Sequence, residues 1–150
     1  MPTVDVELRV PAAPDATWKV VSDIDSYPQY MSDVRSVDIE TDATGSVRRS
    51  NWSVSLRGSI LEWTERDVFD EDARRIEFEQ VDGDLARFAG YWQILPVADR
   101  PDASDVRFFV DFDIGIPLLA DMLNPIAETS LRDNALRMLA AVQDRTSQAG

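Results

Sequence analysis

The sequence predicts an α+β fold in which helices collect on one side of an antiparallel sheet. Two observations predict it. Roughly eighty residues in the middle of the chain alternate apolar and polar side chains, as half-buried strands do. Helical patterns occur only near the start of the chain and in one long stretch at its end. The expected order is one strand, two short helices, six strands and a long helix.

The first strand and the helices that follow it have clear boundaries in the sequence. Between Val4 and Val10 apolar residues alternate with charged ones, and Pro11 ends this strand. Pro14 suits the first position of a helix, because a missing N–H costs nothing there. A second short helix is expected through residues 27–31, close behind the first.

Six further strands are expected, joined by connections short enough to favour antiparallel neighbours. Asp42–Gly45 is typical of a hairpin turn, and Pro96–Ser104 is expected to be a longer loop. The first of these strands begins with Val34, Val37 and Ile39. The other five candidates are Val47–Leu56, Gly58–Asp70, Arg74–Val81, Ala86–Leu95 and Asp105–Ile114.

The last helix is predicted from Pro125 to about Arg145, with Asn124 as its N-cap. Apolar residues recur at three- and four-residue steps along it and form one stripe. The segment before it is apolar and includes Met122, either as part of a lid over a ligand or as plain core. The stripe consists of Ile126, Leu131, Ala135, Met138, Leu139 and Val142.

Composition limits the function. The chain has 150 residues, which fit one domain over residues 1–150. Its formal net charge of −13 argues against binding nucleic acid or an anionic membrane. The absence of cysteine and histidine excludes thiolate metal sites and a Ser-His-Asp triad. No apolar run is long enough for a membrane span, so we expect a cytoplasmic protein without a metal or cofactor.

Three stretches resemble a known family: Val10–Pro14, Trp18–Met31 and Gly90–Ile94. They are similar to the START/Bet v1-like (SRPBCC) superfamily, and most of all to its polyketide cyclase/dehydrase and coenzyme Q-binding, COQ10-like branch. The resemblance implies a helix-grip fold. In that fold a curved seven-stranded antiparallel sheet surrounds the C-terminal helix and encloses an elongated apolar cavity.

Strand parity indicates which side chains face such a cavity, because alternate residues of a strand share a face. These side chains would either contact a ligand or simply form core. Met122 and Arg132 are further candidates, one before and one on the last helix. The ligand-binding set from the strands is Trp52, Trp63, Phe78, Phe88, Trp92 and Phe108.

Glu65 and Asp67 share the inward face of Trp63, which is unusual for carboxylates. Burial would raise their pKa values, and two acids on one face would raise one pKa further. Such a group could remove a proton beside a ketone or protonate a leaving hydroxyl. Alternatively, Asp67 is solvated at the strand end and Glu65 pairs with an arginine such as Arg132. Tyr30 is a third catalytic candidate, unless its ring only packs.

The resemblance also implies an arginine four residues after the tryptophan of this strand, where aromatase/cyclases anchor or polarise the polyketide. This sequence has Asp67 at that position. Arg66 lies on the opposite face and could turn inward only through a β-bulge. Aromatase chemistry that depends on the arginine is therefore not what these residues predict.

Two functions follow. The favoured one is an enzyme that folds a hydrophobic, polyketide-like intermediate in the cavity and promotes its cyclisation or dehydration by acid/base catalysis. Its partners would be an apolar small molecule and, in addition, polyketide synthase components. The alternative is a non-catalytic carrier of a quinone, lipid or other apolar molecule, which needs only the apolar walls.

Overall fold

The computed structural model describes residues 3–40, 47–56, 59–113 and 120–149. It confirms the predicted order of elements. These elements are β1 (Thr3–Val10), α1 (Pro14–Ser22), a 3₁₀ helix (Ile24–Gln29), β2 (Val34–Ile39), β3 (Val47–Leu56), β4 (Ser59–Asp70), β5 (Arg75–Gly83), β6 (Arg87–Val97), β7 (Arg100–Asp113) and α2 (Ala120–Ala149).

The seven strands form one antiparallel sheet in the order β1-β7-β6-β5-β4-β3-β2. Strands β2 to β7 follow one another in space as in sequence, because their connections are too short for a crossover. β1 pairs with β7, so α1 and the 3₁₀ helix carry the chain from one edge of the sheet to the other. The sheet curls around α2, which packs against β1, β7, β3 and α1. This is the predicted helix-grip fold.

Gly90 brings two neighbouring strands unusually close together. A Cβ atom at this position would lie 1.9 Å from the carbonyl oxygen of Phe109 on β7. No side chain can occupy that space, since real Cβ contacts are almost never shorter than 3.0 Å. The glycine therefore permits the close approach of β6 and β7 in the wall of the curled sheet.

The start of the last helix differs from the prediction. α2 begins at Ala120, so Asn124 is not its N-cap and Pro125 is the sixth helical residue. Pro125 cannot donate the hydrogen bond that the carbonyl of residue 121 would accept. Near the end of a helix this loss is small enough to be offset by packing further along, which local capping signals do not reveal.

The prediction of a long loop between the last two strands is also wrong. β6 continues to Val97 and β7 begins at Arg100, so only a two-residue turn separates them. Asp99 has a φ of 65°, a left-handed conformation that aspartate tolerates well. Pro96 lies beyond the part of β6 that pairs with β5 and next to a register shift against β7. Proline is accepted at such places in a sheet.

Several predicted features lie outside the described residues: the hairpin turn at 42–45, the connection at 57–58 and the apolar segment from 114 to 119. The side chain of Met122 is likewise outside them, although the backbone there belongs to α2.

Candidate functional site

A cavity lies between the inner face of the sheet and α2. Its free volume is about 40 Å³, room for a few water molecules. All six side chains that strand parity assigned to the ligand lie in its wall. The described residues lining it are Trp52, Val54, Leu61, Trp63, Glu65, Phe78, Phe88, Trp92, Phe108, Val110, Leu131, Asn134 and Met138.

The cavity wall is a continuous run of aromatic rings. Trp52 and Trp63 are opposite each other on β3 and β4, and their indoles stack with centroids 5.8 Å apart and planes within 4°. Phe88 lies 5.0 Å from Trp63 and 5.6 Å from Phe78, which stacks on Phe108 at 5.7 Å. Cross-strand aromatic pairs of this kind stabilise a sheet and hold each ring in place.

Trp92 and Tyr27 complete this wall from two sides. Trp92 meets Phe108 edge to face at 4.9 Å. Tyr27, from the 3₁₀ helix, is fully buried and packs its ring edge to face against Trp52 and Trp92. Its hydroxyl donates to the carbonyl of Val21, so this phenol has a structural partner.

Glu65 and Asp67 face inward, as strand parity predicted. Glu65 is 4% exposed and lines the cavity, whereas Asp67 is 1% exposed and lies deeper along β4. Their cross-strand neighbours on β3 are Ser50 and Arg48 respectively. Because directly opposed residues share a face of a sheet, these four polar side chains form one patch at the end of the aromatic wall.

The two carboxyl groups are hydrogen-bonded to each other and to groups on both strands. The indole N–H of Trp63 donates to Glu65 Oε1 at 2.7 Å. The hydroxyl of Ser50 donates to Asp67 Oδ2 and in turn accepts the indole N–H of Trp52 at 2.8 Å. Each of the two stacked indoles is thus connected to one acid of the pair.

Burial and the neighbouring acid determine how the pair holds protons. Burial, with a hydrogen bond to Asp67, raises the pKa of Glu65 well above its ordinary value. Burial also raises the pKa of Asp67, but the hydrogen bonds from Glu65 and Ser50 and the charge of Arg48 oppose that rise. Of the two acids, Glu65 is therefore the one whose proton is held more strongly, with Asp67 as the hydrogen-bond acceptor.

Neither alternative considered for the acids applies. Asp67 is not solvated, and Arg132 does not reach Glu65 because it lies half-exposed and pairs with Glu128 at 3.4 Å. Arg132 is also absent from the cavity wall, contrary to the prediction. Arg66 remains exposed on the outer face. A bulge does occur beside it, but the extra residue is Val81 on β5, so the alternation of β4 is unbroken.

Tyr30 does not lie in the cavity wall: it directly follows the 3₁₀ helix, and its ring meets Tyr27 edge to face at 6.1 Å. It lines a separate surface cleft, where the guanidinium of Arg145 lies 5.2 Å from its ring centroid. Burial raises the pKa of the Tyr30 phenol. The prediction of a catalytic tyrosine required Tyr30 to lie beside Glu65, but the two residues line different cavities.

With this geometry established, comparison with known proteins identifies the family. A model of the family described as "Polyketide cyclase / dehydrase and lipid transport" matches residues 10–139. The chain belongs to this family. Among curated proteins, the persistence and stress-resistance toxin PasT of Escherichia coli O6:H1 is 26% identical over 113 residues, which are 75% of this chain and 69% of that protein.

Solved structures resemble this member of the polyketide cyclase/dehydrase and lipid transport family along nearly its whole length. TTHA0849 from Thermus thermophilus has a TM-score of 0.90 at 23% identity, covering 99% of each chain. The Zhui aromatase/cyclase from Streptomyces sp. R1128 has a TM-score of 0.86 at 21% identity, covering 97% of this chain and 93% of that one. A START superfamily protein from Mycobacterium smegmatis reaches 0.79 at 19% identity and covers 100% of both chains. At these identities the likeness establishes the fold.

Two polar residues of this family member's site were missed by the sequence reasoning. Ser50 lies two residues before Trp52, so strand alternation could have placed it on the inner face. The alternation does not reveal that its hydroxyl bonds Asp67. Asn134 lies three residues after Leu131 and four before Met138, which places it on the apolar stripe of α2. A polar residue on an apolar stripe was the available signal.

Within the ranges that the structure describes, no cluster of three or more acidic side chains is arranged to hold a metal ion. None of the helices described there is long and apolar enough to cross a membrane. The chemistry that this arrangement offers is proton transfer by Glu65 next to apolar walls.

Proposed function

We propose that this protein binds a hydrophobic, polyketide-like molecule in the cavity and promotes its dehydration or cyclisation by acid/base catalysis at Glu65. One observation carries the proposal: the carboxyl group of Glu65 lies in the wall of a mostly aromatic and aliphatic cavity with a second buried acid, Asp67, beside it, and burial raises its pKa. Buried titratable groups with strongly shifted pKa values are typical of catalytic sites. The family assignment supports the same class of substrate.

Glu65 is the catalytic residue of this proposal and Asp67 its positioning residue. Only Glu65 reaches the cavity, while Asp67 accepts the hydrogen bond that keeps the Glu65 proton in place. The indole N–H of Trp63 donates to Glu65 Oε1 and orients the carboxyl group. A carboxyl group held in this way is ordered before the substrate arrives, as general acid catalysis requires.

In a dehydration, Glu65 alone can donate the one proton required and take one back. Glu65 gives its proton to the substrate hydroxyl, the C–O bond breaks and water leaves. The electrons of the neighbouring C–H bond form the new C=C bond, and the proton from that carbon returns to the Glu65 carboxylate. In a cyclisation, Glu65 gives its proton to the oxygen of one carbonyl while the carbon beside a second ketone attacks that carbonyl and forms the C–C bond. The proton lost from the attacking carbon returns to the Glu65 carboxylate.

The aromatic wall supplies confinement. A flexible chain held between flat rings loses the freedom that otherwise slows ring closure. A polyketide-like ligand needs far more room than about 40 Å³, so its binding in this proposal requires the cavity to widen between the sheet and α2. The cost of that movement is offset by burial of the ligand's apolar surface.

The test uses α-tetralone, a small bicyclic ketone, in heavy water. If Glu65 transfers protons in the cavity, the protein accelerates exchange of the hydrogens beside the carbonyl for deuterium, followed by mass spectrometry. Glu65→Gln is expected to lower this acceleration about 100-fold or more while the affinity for the ketone survives. Glu62→Gln, on the exposed face of the same strand, is the matched control and should retain it.

An unchanged exchange rate in Glu65→Gln would mean that the acid has no catalytic role. A second function would then apply, that of a carrier for a quinone, lipid or other apolar molecule. One observation favours it, because all the lining residues other than Glu65 and Asn134 are aliphatic, aromatic or methionine. A carrier would bind the ketone with equal affinity in both variants and catalyse exchange in neither.

We also propose that the protein acts in the cytoplasm and that polyketide synthase components deliver its substrate. The family assignment supports the substrate class.

A further inference from the structure

Asn134 on α2 is a buried amide whose N–H groups have no protein partner. The residue is 6% exposed and lies in the wall of the cavity, between its apolar neighbours Leu131 and Met138 on the same helix face. Within the described part of the chain, no acceptor lies within hydrogen-bond distance of Asn134 Nδ2. An unpaired donor therefore lies on a residue that lines the cavity.

Leaving such a donor unpaired opposes folding. A buried polar group without a partner destabilises the folded protein, whereas a leucine at the same position of the stripe would only add apolar contact. The unpaired amide therefore does not contribute to the packing of α2. It is suited to a hydrogen-bond acceptor that enters the cavity with a ligand.

The charges around the cavity narrow the class of that ligand. Among the described lining residues there is no lysine or arginine, and the ionisable one is Glu65, which has a second acid, Asp67, beside it. A carboxylate or phosphate buried here would meet Glu65 and no cation among the described lining residues, since Arg48 lies beyond the wall beside Asp67, and such burial is unfavourable. A neutral molecule with a carbonyl oxygen meets only apolar walls, an acid proton and an amide donor.

We propose that Asn134 donates a hydrogen bond from Nδ2 to a carbonyl oxygen of the ligand on the helix side of the cavity, and that the acids beside an otherwise apolar wall exclude anions. The ligand class is an apolar ketone or quinone, and its fatty-acid counterparts are excluded. This inference rests on the proposed function only in that the cavity binds a ligand; it requires no catalysis.

The experiment compares three probes that share one carbon skeleton: tetralin, α-tetralone and tetralin carboxylate. Binding is followed by quenching of the tryptophans in the cavity wall and by calorimetry. The wild-type protein is expected to prefer the ketone to the hydrocarbon by about two- to tenfold, the usual net contribution of one hydrogen bond. It should bind the carboxylate more weakly than either.

In Asn134→Leu the preference for the ketone should fall by about two- to tenfold, while tetralin binds at least as tightly as before. Asn134→Ala removes the same donor without adding bulk and should give the same ratio. Met138→Leu, an apolar change on the same face of α2, is the matched control. It should alter the affinities for both neutral probes together and keep their ratio.

The inference is overturned if Asn134→Leu keeps the ketone preference, if the wild-type protein binds the carboxylate as tightly as the ketone, or if it binds none of the probes. Glu65→Gln separates this result from the proposed function. Lost exchange with an unchanged ketone preference supports both claims, whereas retained exchange with a preference that depends on Asn134 refutes only the catalytic one.

Discussion

Glu65 and Asp67 lie two residues apart on β4 and share one hydrogen bond in the interior of the protein. Together they accept N–H and O–H groups from Trp63 and Ser50. These hydrogen bonds offset part of the cost of burying two acidic side chains next to each other. Such a site sacrifices some stability, as functional sites commonly do.

The raised pKa of Glu65 predicts how the stability depends on pH. When the pH is above 4.5, the ordinary pKa of a glutamate, Glu65 loses its proton in the unfolded chain. In the folded protein it keeps the proton until the pH reaches its raised pKa. The folded state then binds more protons, so the free energy of unfolding falls as pH rises, by up to about 1.4 kcal/mol per pH unit.

Glu65→Gln removes this dependence. Relative to the wild-type protein, we expect the variant to gain stability steadily as pH rises from about 4.5, measured by urea unfolding across the pH range. Glu62→Gln, on the exposed face of β4, is the control. A difference between Glu65→Gln and the wild-type protein that stays constant with pH would contradict the raised pKa.

At the scale of elements, β3 and β4 bring the site together. Their register places Trp52 opposite Trp63 and Ser50 opposite Glu65, so one pair of strands supplies both the stacked indoles and the acid pair. The bulge on β5 leaves the alternation of β4 intact, which keeps Arg66 outside. A one-residue slip in this register would turn the whole inner face outward.

The helix boundary gives a prediction at the same scale. Because Pro125 is the sixth residue of α2, Pro125→Ala restores a backbone hydrogen bond and relieves contact with the preceding turn. We expect the variant to be about 1–2 kcal/mol more stable, since the gain is reduced by the greater freedom of the unfolded chain.

Pro14→Ala is the matched control, because Pro14 begins α1 and interrupts no hydrogen bond there. It should be neutral or slightly destabilising. Both variants can be compared by denaturant unfolding. A helix that began at Pro125 would make Pro125→Ala behave like the control, and that outcome would contradict the observed boundary.

At the scale of the whole molecule, the curled sheet and α2 enclose a space that neither element could form alone. α1 and the 3₁₀ helix cross from one sheet edge to the other, and Tyr27 seals the aromatic wall from that side. The formal net charge of −13 surrounds an interior that is almost entirely apolar. Such a molecule favours neutral over anionic ligands even before they reach the cavity.

Much of this arrangement is legible in the sequence because alternation is a local property. The inward parity of Trp63, Glu65 and Asp67 follows from counting by twos along β4, and the helix-grip order follows from where helical patterns occur. The start of α2 and the turn between β6 and β7 were mispredicted. A proline in the sequence predicts the end of a helix or strand. Packing nevertheless allows α2 to include Pro125, and a position beyond the β5 pairing allows β6 to include Pro96.

The contacts of the site could not be predicted, because they depend on register and on side-chain direction across the cavity. Nothing in the sequence indicates that Ser50 would bond Asp67, or that Arg132 would turn to Glu128 instead of Glu65. Tyr30 was placed near the cavity only through its helix, and the direction of its ring decided otherwise.

The central claim is that Glu65 holds a proton at neutral pH inside the apolar cavity. Infrared spectroscopy measures this directly, because a protonated carboxyl group has a C=O stretching band distinct from that of a carboxylate. The wild-type protein and Glu62→Gln should show the band at neutral pH, and Glu65→Gln should lack it. Absence of the band from the wild-type protein, or its persistence in Glu65→Gln, would contradict the account.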